Sequence, residues 1–426
     1  MASSEIPQSE IPFKIAVPDE KIQILQKKLA LTRFPDELED AGWDYGVPLA
    51  DVKRLVARWK EGYDWRKHEE QINAELPQFT RDIEVDGFGK LNIHYVHKKS
   101  DGEDAIPLLF VHGWPGSFLE VRKILPLLIQ KSEDHPSFHV VALSLPGYGF
   151  SEAPKKKGFA IAQYAEVGHK LMLALGYNEY VTQGGDWGYS ITRRIAKNYG
   201  GKHSKAWHTN WGASPTGPPT LFSAPIVYLT NLLKGFTPAE KAGLERSAWF
   251  RSKGMGYYMQ QSTQPQTIGY SHADSPAGLL AWIYEKLVTW TDNYPWEDDE
   301  GRARSRFPLT CDDTLADDCF TEVLTWVSIY WFSTGGPAAS ARIYYEVANQ
   351  GNVDDSPTIP QGISFFPKDL VIYPRSWTRT KYLVFESEHG SGGHFAAHEK
   401  PNDLVADLRK MFGKGGPAHG VVKSKL

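Results

Sequence analysis

Gly184-Gly185-Asp186-Trp187-Gly188 follows directly on the strand-like run Tyr180-Val181-Thr182. A turn this tight between a strand and a helix needs small residues on both flanks. It lifts its middle side chain above the sheet, at a helix N-terminus where unpaired backbone N–H groups face outward. Such a turn is a nucleophile elbow, and the raised residue here is aspartate where the commoner version has serine. Read alone, the same five residues also fit a glycine-rich turn in which Asp186 caps the next helix.

Upstream, His112-Gly113-Trp114-Pro115-Gly116-Ser117 follows the continuously apolar run Leu108-Leu109-Phe110-Val111. An elbow of this kind works with an oxyanion hole, made of the N–H after the nucleophile and an N–H from the loop after an earlier strand. Those donors are expected from Trp187 and Trp114, with Pro115 fixing the turn and His112 orienting the loop. On its own the loop also reads as a structural turn; paired with the elbow in this order, it gains weight. Downstream, Gly392-Gly393-His394-Phe395 puts a glycine-flanked histidine after the last apolar strand, where the base of such a site belongs. His389 and His398 are nearby competitors. The acid that orients the base is expected between elbow and histidine. Asp369, in Phe365-Phe366-Pro367-Lys368-Asp369, is the choice, with Glu386 and Glu388 in reserve.

An aspartate elbow has its own chemistry. Serine must lose a proton as it attacks, whereas a carboxylate is ordinarily ionised at pH 7. It can displace a leaving group at an sp³ carbon and leave an alkyl ester on the protein. His394, oriented by Asp369, would then activate the water that cleaves the ester.

The surrounding pattern is α/β. Strand-like runs at Leu108–Val111, Val140–Ser144 and Tyr180–Thr182 alternate with helix-like stretches, as in a mostly parallel sheet with helices on both faces. Before them, Ile83 and Val85 alternate with Leu91, Ile93 and Tyr95 around Asp86-Gly87, a hairpin. Asp19 is expected to cap a helix carrying Ile22, Leu25 and Leu29, and a second helix carries Val52, Leu55, Val56 and Trp59. The division expected is an N-terminal helical wrap and hairpin over 1–95, the first part of the core over 96–215, a helical lid over 216–345, and the second part of the core with the tail over 346–426.

Composition narrows the classes. The chain has 426 residues with 47 basic against 51 acidic ones, a net charge of −4 that gives no electrostatic case for binding nucleic acid. No apolar stretch reaches the ~18 residues of a membrane span, and MASSEIPQSEIPF lacks the pattern of a secretory signal. Cys311 and Cys319 stand without His or Cys at metal-ligand spacing, so neither a disulfide framework nor a metal is expected and a reducing compartment is. Gly147-Tyr148-Gly149 follows a strand, but no third glycine completes a dinucleotide loop.

Taken together, these motifs resemble the epoxide hydrolases of the microsomal type within the α/β-hydrolase fold, most closely the soluble fungal members. The likeness runs from about Pro12 to Gly413. It includes the helical wrap, His112-Gly113-Trp114-Pro115, the aspartate elbow, SFFPKDL around Asp369, PRSW at 374–377 and GGHFAA around His394. The resemblance implies a cofactor-independent hydrolase that converts apolar epoxides and water to vicinal diols, with two lid tyrosines activating the epoxide oxygen. Their motifs match Tyr257 in GYYMQQST and Tyr344 in ARIYYE, with Tyr258 and Tyr345 as adjacent alternatives. Phenols suit that task, because an opening ring generates an alkoxide that wants a hydrogen bond and then a proton; in so aromatic a segment, plain lid packing is the other reading. Membrane-bound relatives carry an N-terminal anchor that has no counterpart here, so membrane association is not carried over. Ser424-Lys425-Leu426 matches the peroxisomal address read by an import receptor, which makes that receptor an expected partner. A homodimer through the lid is left open. The rival readings are a haloalkane dehalogenase, whose departing halide would want N–H donors in place of phenols, and a non-catalytic ligand-binding protein on the same scaffold.

Overall fold

The apolar runs in the middle of the chain form the centre of one sheet. The computed structural model describes residues 10–212, 218–296, 322–351 and 356–423. Cys311, Cys319 and Ser424-Lys425-Leu426 lie outside the described residues. In chain order, β1 (Ile11–Phe13) is followed by α1 (Asp19–Ala30), α2 (Leu49–Glu61) and α3 (Trp65–Glu75), then by the hairpin β2 (Gln78–Val85) and β3 (Gly89–Lys98). The first run of core elements is β4 (Ile106–Val111), α4 (Leu125–Ile129), β5 (Phe138–Leu143), α5 (Ile161–Ala174), β6 (Tyr180–Gly184), α6 (Trp187–Tyr199) and β7 (Ser204–Thr209). An insertion of helices follows: α7 (Pro225–Lys234), α8 (Pro238–Trp249), α9 (Gly256–Thr263), α10 (Pro265–Asp274), α11 (Pro276–Thr289), α12 (Glu322–Trp331) and α13 (Arg342–Asn349). The chain then returns to the sheet with β8 (Gln361–Phe365), α14 (Arg375–Thr378), β9 (Leu383–Glu388), α15 (Ala396–Glu399) and α16 (Pro401–Phe412).

The strand order is β1-β2-β3-β5-β4-β6-β7-β8-β9. Pairing is antiparallel from β1 to β5 and parallel from β5 to β9. β5 and β6 are buried along their whole length and β4 from Pro107 onward, as strands covered on both faces must be. The hairpin pairs Ile83 with Leu91 and Arg81 with Ile93, the register that its alternation requires. Asp19 departs from expectation: it is the first residue of α1 after Pro18 and makes no cap, and its carboxylate pairs with Arg66 of α3. β7 escapes a reading by hydropathy, because Ser204-Lys205-Ala206-Trp207-His208-Thr209 has only two apolar residues. It is buried all the same, with His208 hydrogen-bonded to Gln183 of β6 and Ser364 of β8.

The N-terminal helices lie largely on the lid. α1 and α2 pack against α11, and α3 packs against α12. From Val323 to Tyr330 every residue of α12 is buried, so this largely apolar helix needs cover on its outer side as well as over the sheet. The wrap supplies it. Side chains of α3 also pin the extended chain before α1, with the Ile15 amide donating to Asn73 at 2.8 Å and the Val17 amide to Glu69 at 2.6 Å. Among the described residues no helix is long and apolar enough to cross a membrane. Trp59 of α2 is fully buried, so Trp59→Ala is expected to lower the unfolding free energy by about 3–5 kcal/mol. Chemical denaturation checks this; a loss below about 1 kcal/mol would mean that the wrap is a loosely held appendage.

Candidate active site

The elbow is strained as its pattern requires. Asp186 has φ 53° and ψ −126°, a left-handed conformation that a non-glycine residue adopts only when its surroundings enforce it. Gly188 is part of the enforcement: a Cβ there would sit 2.0 Å from the carbonyl oxygen of Val111, so only glycine lets α6 approach the end of β4. The amide of Trp114 donates to Oδ1 of Asp186 at 2.9 Å. Trp187 opens α6, so its amide is one of the first-turn groups that a helix leaves without an internal partner.

His112 holds the loop after β4. Its Nδ1 lies 2.8 Å from the carbonyl of Gly113, and its Nε2 accepts the Leu145 amide at 3.2 Å, which assigns the proton to Nδ1. Burial lowers the imidazole to about 4, keeping it in the neutral form that this pairing needs. From the lid side of the loop, Trp326 donates to the carbonyl of Pro115 and Tyr330 to that of Gly116, at 2.6 Å for the latter.

His394 lies between two carboxylates. Its Nδ1 is 2.7 Å from Oδ1 of Asp369 and its Nε2 is 3.3 Å from Oδ2 of Asp186. Burial by itself would depress the imidazole; the charges and hydrogen bonds of Asp369 and Asp186 outweigh it and push the group up to about 10. The amide of His394 donates to the carbonyl of Trp290 in the lid at 2.9 Å. Asp369 also accepts the Leu370 amide at 2.7 Å, and Arg246 ties the backbone of its loop to Thr289 at the end of α11. The reserve acids are engaged elsewhere, Glu386 with Arg375 and Arg379, and Glu388 with Arg375. The competing histidines are too: His389 pairs with Asp407, and His398 with Glu322.

Above Asp186 the lid builds an aromatic box. Tyr257 stacks on Trp114 with ring centroids 5.1 Å apart, and Tyr344 meets Trp187 edge-on at 4.8 Å. Tyr257 and Tyr344 lie 5.8 Å apart, and Trp290 closes one side, 5.1 Å from both Tyr257 and His394. Both phenols are buried, and burial holds them well above the usual tyrosine range, helped by the charge of Asp186 at Tyr257 and by Tyr257 and then Asp186 at Tyr344. Tyr257 and Trp187 approach the Tyr344 hydroxyl, but no bond of ordinary geometry satisfies it. Tyr258 is half-buried and Tyr345 lies beneath Lys157, whereas Tyr257 and Tyr344 are the two that pack on Trp114 and Trp187, the neighbours of Asp186 at the elbow.

Two polar residues at the site were not singled out in the sequence. Glu120 stands in the otherwise apolar turn Phe118-Leu119-Glu120-Val121, and that isolation is the only local signal it gives. Asn210 follows β7, receives a hydrogen bond from Gln183 at 2.8 Å and donates to the carbonyl of His394 at 3.3 Å. Together with Gly113, Asp186 and His394 they line a cavity of about 10 Å³, the space that one water molecule needs.

The chain is similar to known proteins along most of its length. The family model described as the epoxide hydrolase N terminus matches residues 10–121, and that of the alpha/beta hydrolase fold matches residues 106–209. A putative epoxide hydrolase of Stigmatella aurantiaca is 38% identical over 411 residues, covering 94% of this chain and 84% of its own. Epoxide hydrolase 1 of Sus scrofa is 36% identical over 420 residues, covering 94% and 88%. The solved structure of Aspergillus niger epoxide hydrolase superposes with a TM-score of 0.76 at 33% identity, covering 94% of this chain and 95% of that one.

The position of His394 between two negative charges gives a signed expectation. Because both carboxylates raise it, its ring should stay protonated up to about pH 9. In Asp186→Asn one of the two charges is gone, and the midpoint should move to lower pH. NMR of histidine-labelled protein measures both, and an unchanged midpoint in the variant would show that Asp186 does not act on the ring.

Proposed function

Since the chain belongs to the epoxide hydrolase family of the α/β-hydrolase fold and is an enzyme acting on epoxides, we propose that it opens the ring through an ester on Asp186 and cleaves that ester with water activated by His394. In the first step a carboxylate oxygen of Asp186 bonds to a ring carbon. The carbon–oxygen bond of the ring breaks, and its electron pair passes to the epoxide oxygen. The alkoxide that forms is a stronger base than a phenolate, so it takes a proton from Tyr257 or Tyr344 even though burial keeps both phenols weakly acidic.

The second step follows from the charge that the first one removes. In the resting enzyme the carboxylates of Asp186 and Asp369 hold His394 as an imidazolium. Esterification neutralises Asp186, so the ring loses one of its two charge partners, its proton becomes easier to release and goes to restore the phenol deprotonated in the first step, and the neutral ring is freed to act as a base. His394 then takes a proton from water as the water oxygen bonds to Cγ of the ester. The carbonyl electron pair moves to the oxygen held by the Trp114 amide, with Trp187 as second donor; one such donor is typically worth about 3–4 kcal/mol. Collapse of this intermediate expels the diol, which takes the proton from His394; Asp186 is left as a carboxylic acid, and its proton passes to the neutral His394 to restore the resting carboxylate and imidazolium. The observation that carries this reading is the Asp186–His394–Asp369 arrangement beside the Trp114 amide. A phenol-lined box suits an alkoxide better than a halide, which favours the epoxide reading over the dehalogenase one.

His394→Gln should let the ester form and block its hydrolysis. With styrene oxide, intact-mass analysis is expected to find the protein heavier by one substrate molecule, and turnover reduced by about 10²–10⁴-fold. Absence of the adduct while Asp186→Asn remains the inactive variant would rule out the covalent route. Tyr344→Phe gives a separate test. Deleting a buried hydroxyl that lacks a partner should leave the melting temperature unchanged or raised. It should also lower kcat/KM by roughly tenfold, with a larger loss once Tyr257→Phe is added. A fall in stability without loss of activity would make Tyr344 a packing residue.

A further inference from the structure

The proposed mechanism calls for a water molecule held against Cγ of Asp186 with one hydrogen directed to His394. A single base does not fix such a molecule, because the second hydrogen and the oxygen lone pairs remain free to rotate. The carboxyl group of Glu120 is a second polar group lining the same small cavity as Asp186 and His394. It is the side chain that the mechanism leaves unused.

Glu120 is placed with care. It sits in the short turn Phe118–Val121, is only 9% exposed, and has the amides of Gly113 and Ser117 near its carboxyl, in the loop that also presents the Trp114 amide to Asp186. Room for the carboxyl exists because residue 116 is glycine: a Cβ there would lie 1.8 Å from Oε1 of Glu120. Asn210 completes the polar lining, and its amide is already committed to Gln183 and to the backbone of His394. The rest of the lining that bears on polarity is apolar, Phe110 and Phe395 among it. Burying a carboxyl costs free energy unless something uses it.

We propose that Glu120 is the water-positioning residue of ester hydrolysis, its carboxyl oxygen accepting the second hydrogen of the water whose first hydrogen goes to His394. In the step itself His394 removes one proton, the water oxygen bonds to Cγ of the esterified Asp186, and the other proton stays on that oxygen, hydrogen-bonded to Glu120. No proton is transferred to Glu120 and no further reactant is needed. Burial, and then the charge of Asp186, push the Glu120 carboxyl up to about 8 against the opposing effect of His394 and the two amides. Esterification of Asp186 removes one of those raising influences, so the carboxyl becomes a better acceptor at the stage where the water needs one.

The inference rests on the ester mechanism and separates from it in one experiment. Glu120→Leu, Glu120→Ala, Glu120→Gln and the His394→Gln control are compared by rapid-quench single turnover and by steady-state kinetics with styrene oxide, following the ester by intact mass. For Glu120→Leu and Glu120→Ala the ester is expected to form within about threefold of the wild-type rate, which also certifies a folded site. Its hydrolysis should slow about 10–100-fold, so that kcat and KM fall together and ester accumulates at steady state. Glu120→Gln keeps a carbonyl acceptor and should recover most of the hydrolysis rate. Hydrolysis at the wild-type rate in both the Leu and Ala variants would overturn the proposal. So would a loss of ester formation equal to the loss of kcat, since that is what a structural role produces. An ester trapped by His394→Gln but absent from the Glu120 variants would defeat this inference alone; no ester in any variant would defeat the covalent reading and this inference with it.

Discussion

A buried imidazole held between two carboxylates is the constraint on which the rest of this structure depends. His394 meets Asp369 at 2.7 Å and Asp186 at 3.3 Å with almost no solvent access. Two negative charges and one positive charge in so dry a place are tolerable only when each is hydrogen-bonded, and removing one partner leaves an uncompensated charge that costs about 3–5 kcal/mol. The three residues come from three different loops at the C-terminal ends of parallel strands, the edge at which open α/β sheets bind ligands. The strain at Asp186 is held in place by the close approach of α6 to the end of β4 at Gly188.

The lid extends the same constraint upward. Trp290 supplies a carbonyl to the His394 amide and a ring beside its imidazole, so the base is anchored to the lid as well as to the sheet. Trp326 and Tyr330 tie α12 to the loop that presents the Trp114 amide. The wrap then covers α11 and α12 from outside. Wrap, lid and sheet therefore form one continuous set of contacts around a single site, and disturbance of the outer helices has a physical route to it. The orphaned hydroxyl of Tyr344 fits that picture: a polar group left without a partner in an aromatic box costs stability, and such groups concentrate where a ligand supplies the missing bond.

Much of this was legible in the chain because the informative residues are local. Gly184 to Gly188 specify a turn between a strand and a helix, and His112 to Ser117 specify the loop that faces it; each is a pattern of small and rigid residues within a few positions. The strands β4 and β5 announced themselves by their apolar runs, and β6 by the short strand-like run Tyr180-Val181-Thr182 before the glycines. β7 did not, since its buried His208 and Ser204 are polar and the hydrogen bonds that make His208 acceptable come from other strands. Asp19 shows the reverse failure, where a good capping residue is displaced by Pro18 at the cap and used instead in an ion pair with Arg66. Glu120 and Asn210 carry no motif at all. What distinguishes them is their company, which is assembled from β4, β6, β7 and the loop of His394.

The sequence by itself determined the α/β alternation, the elbow with its aspartate, the loop of Trp114 and the glycine-flanked histidine, because backbone turns and buried strands are governed by residues near one another in the chain. Only the tertiary structure decided that Asp369, and not Glu386 or Glu388, stands against His394, and that Tyr257 and Tyr344 pack on Trp114 and Trp187 while Tyr345 lies beneath Lys157. It alone brought Glu120 to the same small cavity. The physical reason is common to all three. Which of two adjacent side chains points inward, and which of several acids meets a base, depends on how helices and strands distant in the chain pack together, and that packing leaves no mark on a short stretch of sequence.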